Sequence, residues 1–286
     1  MSFRNILLLI RPKQWIKNAF VLAPLVFSKE LFDAAPLFTA LKATASSVYI
    51  INDMSDIESD RAHPEKRNRP LAAGTISRPQ AYLVLGFLLI CSVLLAYQMA
   101  GLFQLVLVTY FVMNLAYSAK LKEVVLLDVF IIAAGFMLRV VGGAFAIQVQ
   151  VSNWIVLYTL FVSLFLGFAK RRGELLLSQE MQSGTERKVL TSYEVGFIDQ
   201  MLTIAAAGTV ISYALYTVAP RTVEIFGTER MIYTTVFVLY GMFRYLYLIH
   251  MTNSTDNPTN AVISDFQIVA VTLLWIGTCV AVIYFG

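Results

Sequence analysis

Residues 79–119 read PQAYLVLGFLLICSVLLAYQMAGLFQLVLVTYFVMNLAYSA. About forty residues pass without one Asp, Glu, Lys or Arg, twice the ~20 apolar residues that one helical crossing of a bilayer needs. A run of this length must double back, and Ala100-Gly101 is where the turn is expected. Lipid is therefore the solvent for much of this chain. The composition agrees, with 58% hydrophobic and only 14% charged residues, against about 45–50% and about 25% in soluble domains.

Outward from this run, charges and turn residues mark nine expected spans: 16–32, 36–52, 79–99, 102–119, 124–147, 153–169, 198–219, 231–250 and 261–285. The fold class expected is an all-α polytopic membrane protein, a single integral membrane domain over 1–286. Phe3, Ile6, Leu7 and Ile10 recur at helical spacing and predict a short amphipathic helix ahead of the first span. The net charge of +4 is modest, and no basic face on a soluble module suggests nucleic acid. Cys91 and Cys279 lie in apolar runs and form no disulfide framework. With His63 and His250 the only histidines, a His-rich metal centre is excluded.

Lys and Arg gather at 11–17, 61–69, 120–122, 170–172 and 187–188, all on one side of the nine spans. The other side carries Lys29, Arg221 and Arg230. The positive-inside rule puts the crowded side, with the N-terminus, in the cytoplasm and the C-terminus outside a cell (inner) membrane.

Residues 52–60 read NDMSDIESD. If the second span continues as a helix, Asp53, Asp56 and Asp60 fall at i, i+3 and i+7 on one face, with Asn52 four residues before Asp56. Three like charges on one face repel, and a bound cation removes the repulsion. Mg²⁺ suits such a set, because it takes one or two carboxylates together with substrate phosphate oxygens and water. The loop that follows sets Lys66, Arg67 and Arg69 between Pro64 and Pro70, a basic hook suited to phosphate oxygens. Lys17, Tyr117, Lys122, Lys170 and Arg171 stand at other span ends on the same side. Charges inside spans are costly and are usually functional or paired. Asp128 and Arg139 share a face of one span but lie about 16 Å apart, so they cannot pair. Arg139 is expected to satisfy a neighbouring helix. Arg244 either pairs with Asp265 or faces substrate.

The pattern NDxxDxxxD at Asn52, Asp53, Asp56 and Asp60, the nine spans and the segment 117–122 together resemble the UbiA superfamily of membrane prenyltransferases. The resemblance implies a nine-helix transmembrane bundle with cytoplasmic cap loops and a Mg²⁺-dependent diphosphate site. Typical members carry a second acidic motif, DxxxD, where this chain has Lys170-Arg171-Arg172-Gly173-Glu174. One branch matches better. The stretches RPKQWIKN (11–18), NDMSDIESDRAHPEKRNRPLAAG (52–74), LLDVFIIAAGFMLRVVGGA (126–144), AKRRGEL (169–175) and FRYLYL (243–248) resemble decaprenyl-phosphate phosphoribosyltransferases. The resemblance implies transfer of 5-phosphoribose from phosphoribosyl pyrophosphate to a polyprenyl phosphate, with release of pyrophosphate. It implies catalytic and metal-ligating roles for Asp53, Asp56 and Asp60. Substrate contacts are implied for Lys17, Asn52, Lys66, Arg67, Tyr117, Lys122, Asp128, Lys170, Arg171 and Arg244. A UbiA-type aromatic prenyltransferase is the alternative, and a membrane transporter a remote one. The partners expected are the two substrates and membrane lipid, with homo-oligomer formation left open.

Overall fold

The structure, a computed structural model, describes residues 3–10, 35–62, 66–97, 99, 101–146, 150–181, 188–251 and 264–285. Among them every regular element is helical. The chain divides into two compact units, Met1–Val151 and Ser152–Gly286.

In the first unit, α1 (Phe3–Ile10) is the short amphipathic helix the N-terminal spacing predicts. α2 (Ala35–Ser55) runs into α3 (Ile57–Ala62), and then come α4 (Arg78–Tyr97), α5 (Gly101–Ala119) and α6 (Leu127–Ala146). The break between α4 and α5 falls where the long apolar run was expected to turn. α2 packs against α1, α4 and α5, and α5 packs against α6. Small side chains let these backbones approach. Ala43, Ala45, Ser46 and Ser47 of α2 are buried. The Ser46 hydroxyl donates to the Ile10 carbonyl at 3.0 Å, and the Thr44 and Ser92 hydroxyls share a hydrogen bond. On α6, a Cβ added to Gly142 would lie 3.2 Å from Val106 Cγ1, a close approach of α6 to α5.

In the second unit, α7 (Asn153–Met181) and α8 (Val195–Thr217) pack along their length. The short α9 (Pro220–Phe226) precedes α10 (Thr235–Met251) and α11 (Phe266–Phe285), which pack on each other, and α10 also touches α8. α7 extends well past the expected end of its span at residue 169. Lys170, Arg171 and Arg172 therefore stand on a continuous helix rather than at the start of a loop. Nothing in 170–181 breaks helical bonding: Glu, Leu, Ser and Gln follow, with one tolerated glycine.

Seven helices among the described residues are long and apolar enough to cross a membrane: α4 to α8, α10 with the turn before it, and α11. Of the nine expected spans, 16–32 lies outside the described residues. The span 36–52 is α2, whose 21 residues are long enough to cross but carry more polar side chains. The outer faces are apolar. On α4, Leu83, Phe87, Ile90 and Leu94 are each more than 60% exposed, an arrangement that suits lipid and would be costly in water.

Candidate active site

The acidic cluster keeps its helical register across the junction of α2 and α3. Asp56 bends the chain, yet its N–H still reaches the Asn52 carbonyl at 3.0 Å, and the Asp60 N–H reaches the Asp56 carbonyl at 2.8 Å. Asp53, Asp56 and Asp60 therefore share a face, as their spacing predicts. Asp53 and Asp60 are buried, at 1% and 4% exposure, and Asp56 is half-buried.

Buried like charges need counter-charges, and here the protein supplies them. Arg69 Nη1 lies 2.6 Å from Asp60 Oδ2 and 3.3 Å from Asp53 Oδ1. Lys122 Nζ lies 2.5 Å from Asp56 Oδ1. Asn52 donates from Nδ2 to Asp56 Oδ2 at 3.2 Å, and its Oδ1 accepts from the Ser118 hydroxyl at 3.4 Å. The ends of α2 and α5 are thus joined through Asn52.

Both cations come from short, hydrogen-bonded loops. Arg69 follows the turn Lys66–Asn68. Its N–H binds the Lys66 carbonyl, and its own carbonyl accepts from Ala73. Lys122 sits in the turn Leu121–Glu123 between α5 and α6. Leu126 then takes φ 67, a left-handed value uncommon for a side chain with Cβ, before the chain enters α6. Asp128, fully buried, lies in the first turn of α6, where a helix N-terminus favours negative charge.

The structure thus brings together Asn52, Asp53, Asp56, Asp60 and Lys122 from the expected set. Lys66 and Arg67 share the Arg69 loop, and Tyr117 is half-buried on the last turn of α5. Lys17 lies outside the described residues. Arg69 and Ser118 were not singled out as site residues from the sequence. The only signal for Arg69 was its place in the hook between the two prolines.

In the second unit, all three cations of the run 170–172 stand beside carboxylates. Arg171, buried, reaches Glu174 Oε2 at 2.5 Å. Arg172 reaches Asp199 Oδ1 at 2.7 Å and the Ile249 carbonyl at 3.0 Å, tying α7 to α8 and α10. Lys170 is half exposed, and its Nζ stands 3.8 Å from Glu174. Arg244 makes a two-point pair with Asp265, at 2.8 and 3.3 Å. Asp265 also accepts the Ile268 N–H at 2.9 Å, capping α11. Arg139, in α6, donates to the Tyr110 hydroxyl at 2.6 Å and lies over the Tyr110 and Phe136 rings. It satisfies α5, a neighbouring helix, as expected.

Seven apolar helices of membrane-crossing length among the described residues define a multi-pass membrane protein, with aspartates and cations interleaved where α2 meets α3. Residues 16–271 match the UbiA prenyltransferase family, and the chain belongs to that family. It is a transferase. The chain is 32% identical over 292 residues to the decaprenyl-phosphate phosphoribosyltransferase of Mycolicibacterium smegmatis, covering 97% of this chain and 92% of that protein. It is 35% identical to the enzyme of the same name from Mycobacterium tuberculosis, over 72% of each. Among solved structures it shares its fold with a UbiA homolog from Archaeoglobus fulgidus bound to GPP and Mg²⁺. There the TM-score is 0.74 at 19% identity, covering 98% of this chain and 99% of that one.

Proposed function

We propose that this chain transfers the 5-phosphoribosyl group of phosphoribosyl pyrophosphate to a polyprenyl phosphate and releases pyrophosphate. The observation that carries the reading is the mixed cluster at the end of α2. Three carboxylates and two cations are held within hydrogen-bond reach on loops and helix ends, the equipment for a metal-bound diphosphate. The names of the relatives support the choice of donor and acceptor. The family match runs across both units, which supports reading 1–286 as one catalytic domain.

Asp53, Asp56 and Asp60 fit Mg²⁺ by chemistry, offering hard carboxylate oxygens on one face. Among the described residues no three acidic side chains converge into a ready cage. Mg²⁺ needs only one or two carboxylates when substrate phosphates and water complete its shell. When bound, the ion would neutralise charge developing on the leaving pyrophosphate. Arg69 and Lys122, released from the aspartates, can pass to phosphate oxygens without leaving the site. Asn52, fixed between Asp56 and Ser118, keeps the Asp56 carboxylate oriented.

Cleavage at the anomeric carbon gives an oxocarbenium-like transition state, as in glycoside chemistry. The acceptor phosphate monoester, with its second pKa near 6, is already an anionic nucleophile at neutral pH. No general base is required, consistent with the absence of histidine from the cluster among the described residues. Lys17, Lys66, Arg67, Tyr117, Asp128, Lys170, Arg171 and Arg244 complete the set of proposed substrate contacts. The charge asymmetry of the loops supports an active site on the cytoplasmic face of the inner membrane, with the C-terminus outside.

The test uses purified protein, radiolabelled phosphoribosyl pyrophosphate and polyprenyl phosphate. Label passing into the lipid extract only with Mg²⁺ and the lipid acceptor is the expected result. Absence of transfer, together with prenylation of a phenolic acid from a prenyl diphosphate, would replace this reading with an aromatic prenyltransferase.

A further inference from the structure

On another face of α3 from the aspartates, the first unit holds a cavity of about 320 Å³. Ile57, Leu71 and Ile76 lie beneath it, buried in one hydrophobic cluster. Its rim is charged, with Arg61, Arg78 and Glu58. Arg61 spends its Nε on the Ala72 carbonyl at 3.1 Å, which fixes the guanidinium. Among the described residues its terminal nitrogens have no protein partner, and Arg78 has none. Neither arginine pairs with Glu58 across the rim. Among the described residues, two cations thus stand at one opening without a counter-charge, although the Glu58 carboxylate lines the same opening. Ser77 and Gln80 cap the start of α4 reciprocally, so the helix end itself is already satisfied.

The cavity opens where a membrane-crossing helix begins. One turn after Arg78, Tyr82 is 60% exposed, and the apolar face continues through Leu83, Phe87, Ile90 and Leu94. A basic opening above a lipid-facing helix surface matches an amphipathic ligand, with its head in the cavity and its chains along α4. Charge decides which lipid. Among the described lining residues, two arginines against one glutamate leave one net positive charge, complementary to a phosphodiester. A phosphate monoester such as a polyprenyl phosphate carries close to two negative charges at neutral pH and would meet Glu58 as well. In a phosphodiester the remaining headgroup can turn a hydroxyl toward that carboxylate.

The geometry points to a binding site for an anionic phosphodiester phospholipid headgroup, of the phosphatidylglycerol type, between α3 and the start of α4. This site is separate from the acidic cluster and does not depend on the reaction proposed there. The protein in mild detergent is titrated with short-chain phosphatidylglycerol while thermal unfolding is followed. Parallel titrations use short-chain phosphatidylcholine, inorganic phosphate and polyprenyl phosphate.

Phosphatidylglycerol is expected to raise the unfolding temperature saturably, and phosphatidylcholine to do so much less. Arg61→Gln with Arg78→Gln should weaken the apparent affinity by about fivefold per arginine removed. Glu58→Gln should strengthen it, so the opposite signs separate a binding effect from a folding defect if the double variant is unstable. Unchanged affinity in Arg78→Gln and Glu58→Gln overturns the proposal. Saturation by inorganic phosphate alone would make this a free-anion site, and tighter binding of polyprenyl phosphate than of phosphatidylglycerol would make it an acceptor site. Either result overturns the phospholipid assignment.

Discussion

Two charge clusters stand out in this protein, an acidic one where α2 meets α3 in the first unit and a basic one within α7 in the second, and they are neutralised in different ways. Asp53, Asp56 and Asp60 take their counter-charges from loops: Arg69 beyond the turn Lys66–Asn68, and Lys122 in the turn after α5. Arg171 and Arg172 take theirs from helices: Glu174 one turn on, and Asp199 with the Ile249 carbonyl on two neighbouring helices. A loop cation can leave its partner for a ligand at little cost to packing. A cation joined to two helix walls cannot, because leaving would strand a buried charge. On the proposed reading the acidic cluster is built for exchange, and Arg172 for architecture. Lys170 is the more exposed of the three, with its Nζ 3.8 Å from Glu174.

The largest effect should fall on the exchangeable cluster. Asp56→Asn keeps size and shape and leaves Asp53 and Asp60 on Arg69, so the fold should survive. Turnover should fall by at least ~100-fold, the scale of losing one transition-state charge contact. Initial-rate measurements, with thermal unfolding as the control for folding, check this. A fully active Asp56→Asn would remove the metal assignment and, with it, the functional half of the contrast.

The face shared by the aspartates was legible in the sequence because helical geometry is local. Spacing of three and four places side chains together whatever else the chain does, and the bend at Asp56 did not disturb it. Lys122 was legible as a charge at a span end. Arg69 was visible only as one of several cations between two prolines, since which of them turns inward depends on the loop's backbone bonds to Lys66 and Ala73. The role of Arg172 was not legible at all. Its partners lie 27 and 77 residues away, and spacing carries no information across that distance. For the same reason the pairing of Arg172 across helices could not be read from the basic run itself. The helix beyond residue 169 was missed because charge marks where a span leaves lipid, not where its helix ends.

On the architectural side, Arg172→Ala should cost stability rather than catalysis. Removing one partner of a buried pair costs ~3–5 kcal/mol. Asp199 keeps some solvent and a contact with His250 at 3.4 Å, so about 2–3 kcal/mol is expected here. Denaturation in detergent measures the loss, and activity per folded molecule should change less than twofold. A normal unfolding curve with collapsed activity would place Arg172 among the exchangeable cations. Lys170→Ala should do the reverse. Its exposed, long contact contributes almost nothing to stability, while loss of one phosphate contact should raise the KM of one substrate by about five- to tenfold. If both KM values stand unchanged, the basic run has no exchangeable member.

The smallest effect concerns a pair of the architectural kind that reaches the surface, Arg244 with Asp265. The Arg244 guanidinium, and after it the Ile268 N–H, holds the Asp265 carboxyl below its ordinary value. A carboxylate whose pKa is lowered by folding stabilises the folded state at all pH above its unfolded pKa, about 3.9. That contribution is lost as pH falls through the lower folded value. Asp265→Asn keeps the N-cap on α11, since asparagine caps as well as aspartate, and removes only the charge. The unfolding-temperature gap between the native protein and this variant should therefore stay flat from pH 8 to 5 and close only below pH 4. A gap that already narrows between pH 7 and 5 would mean that a group other than Asp265 governs the pair. Arg244 would then belong with the cations free to exchange, and its place as a substrate contact would gain weight over its place as a strut.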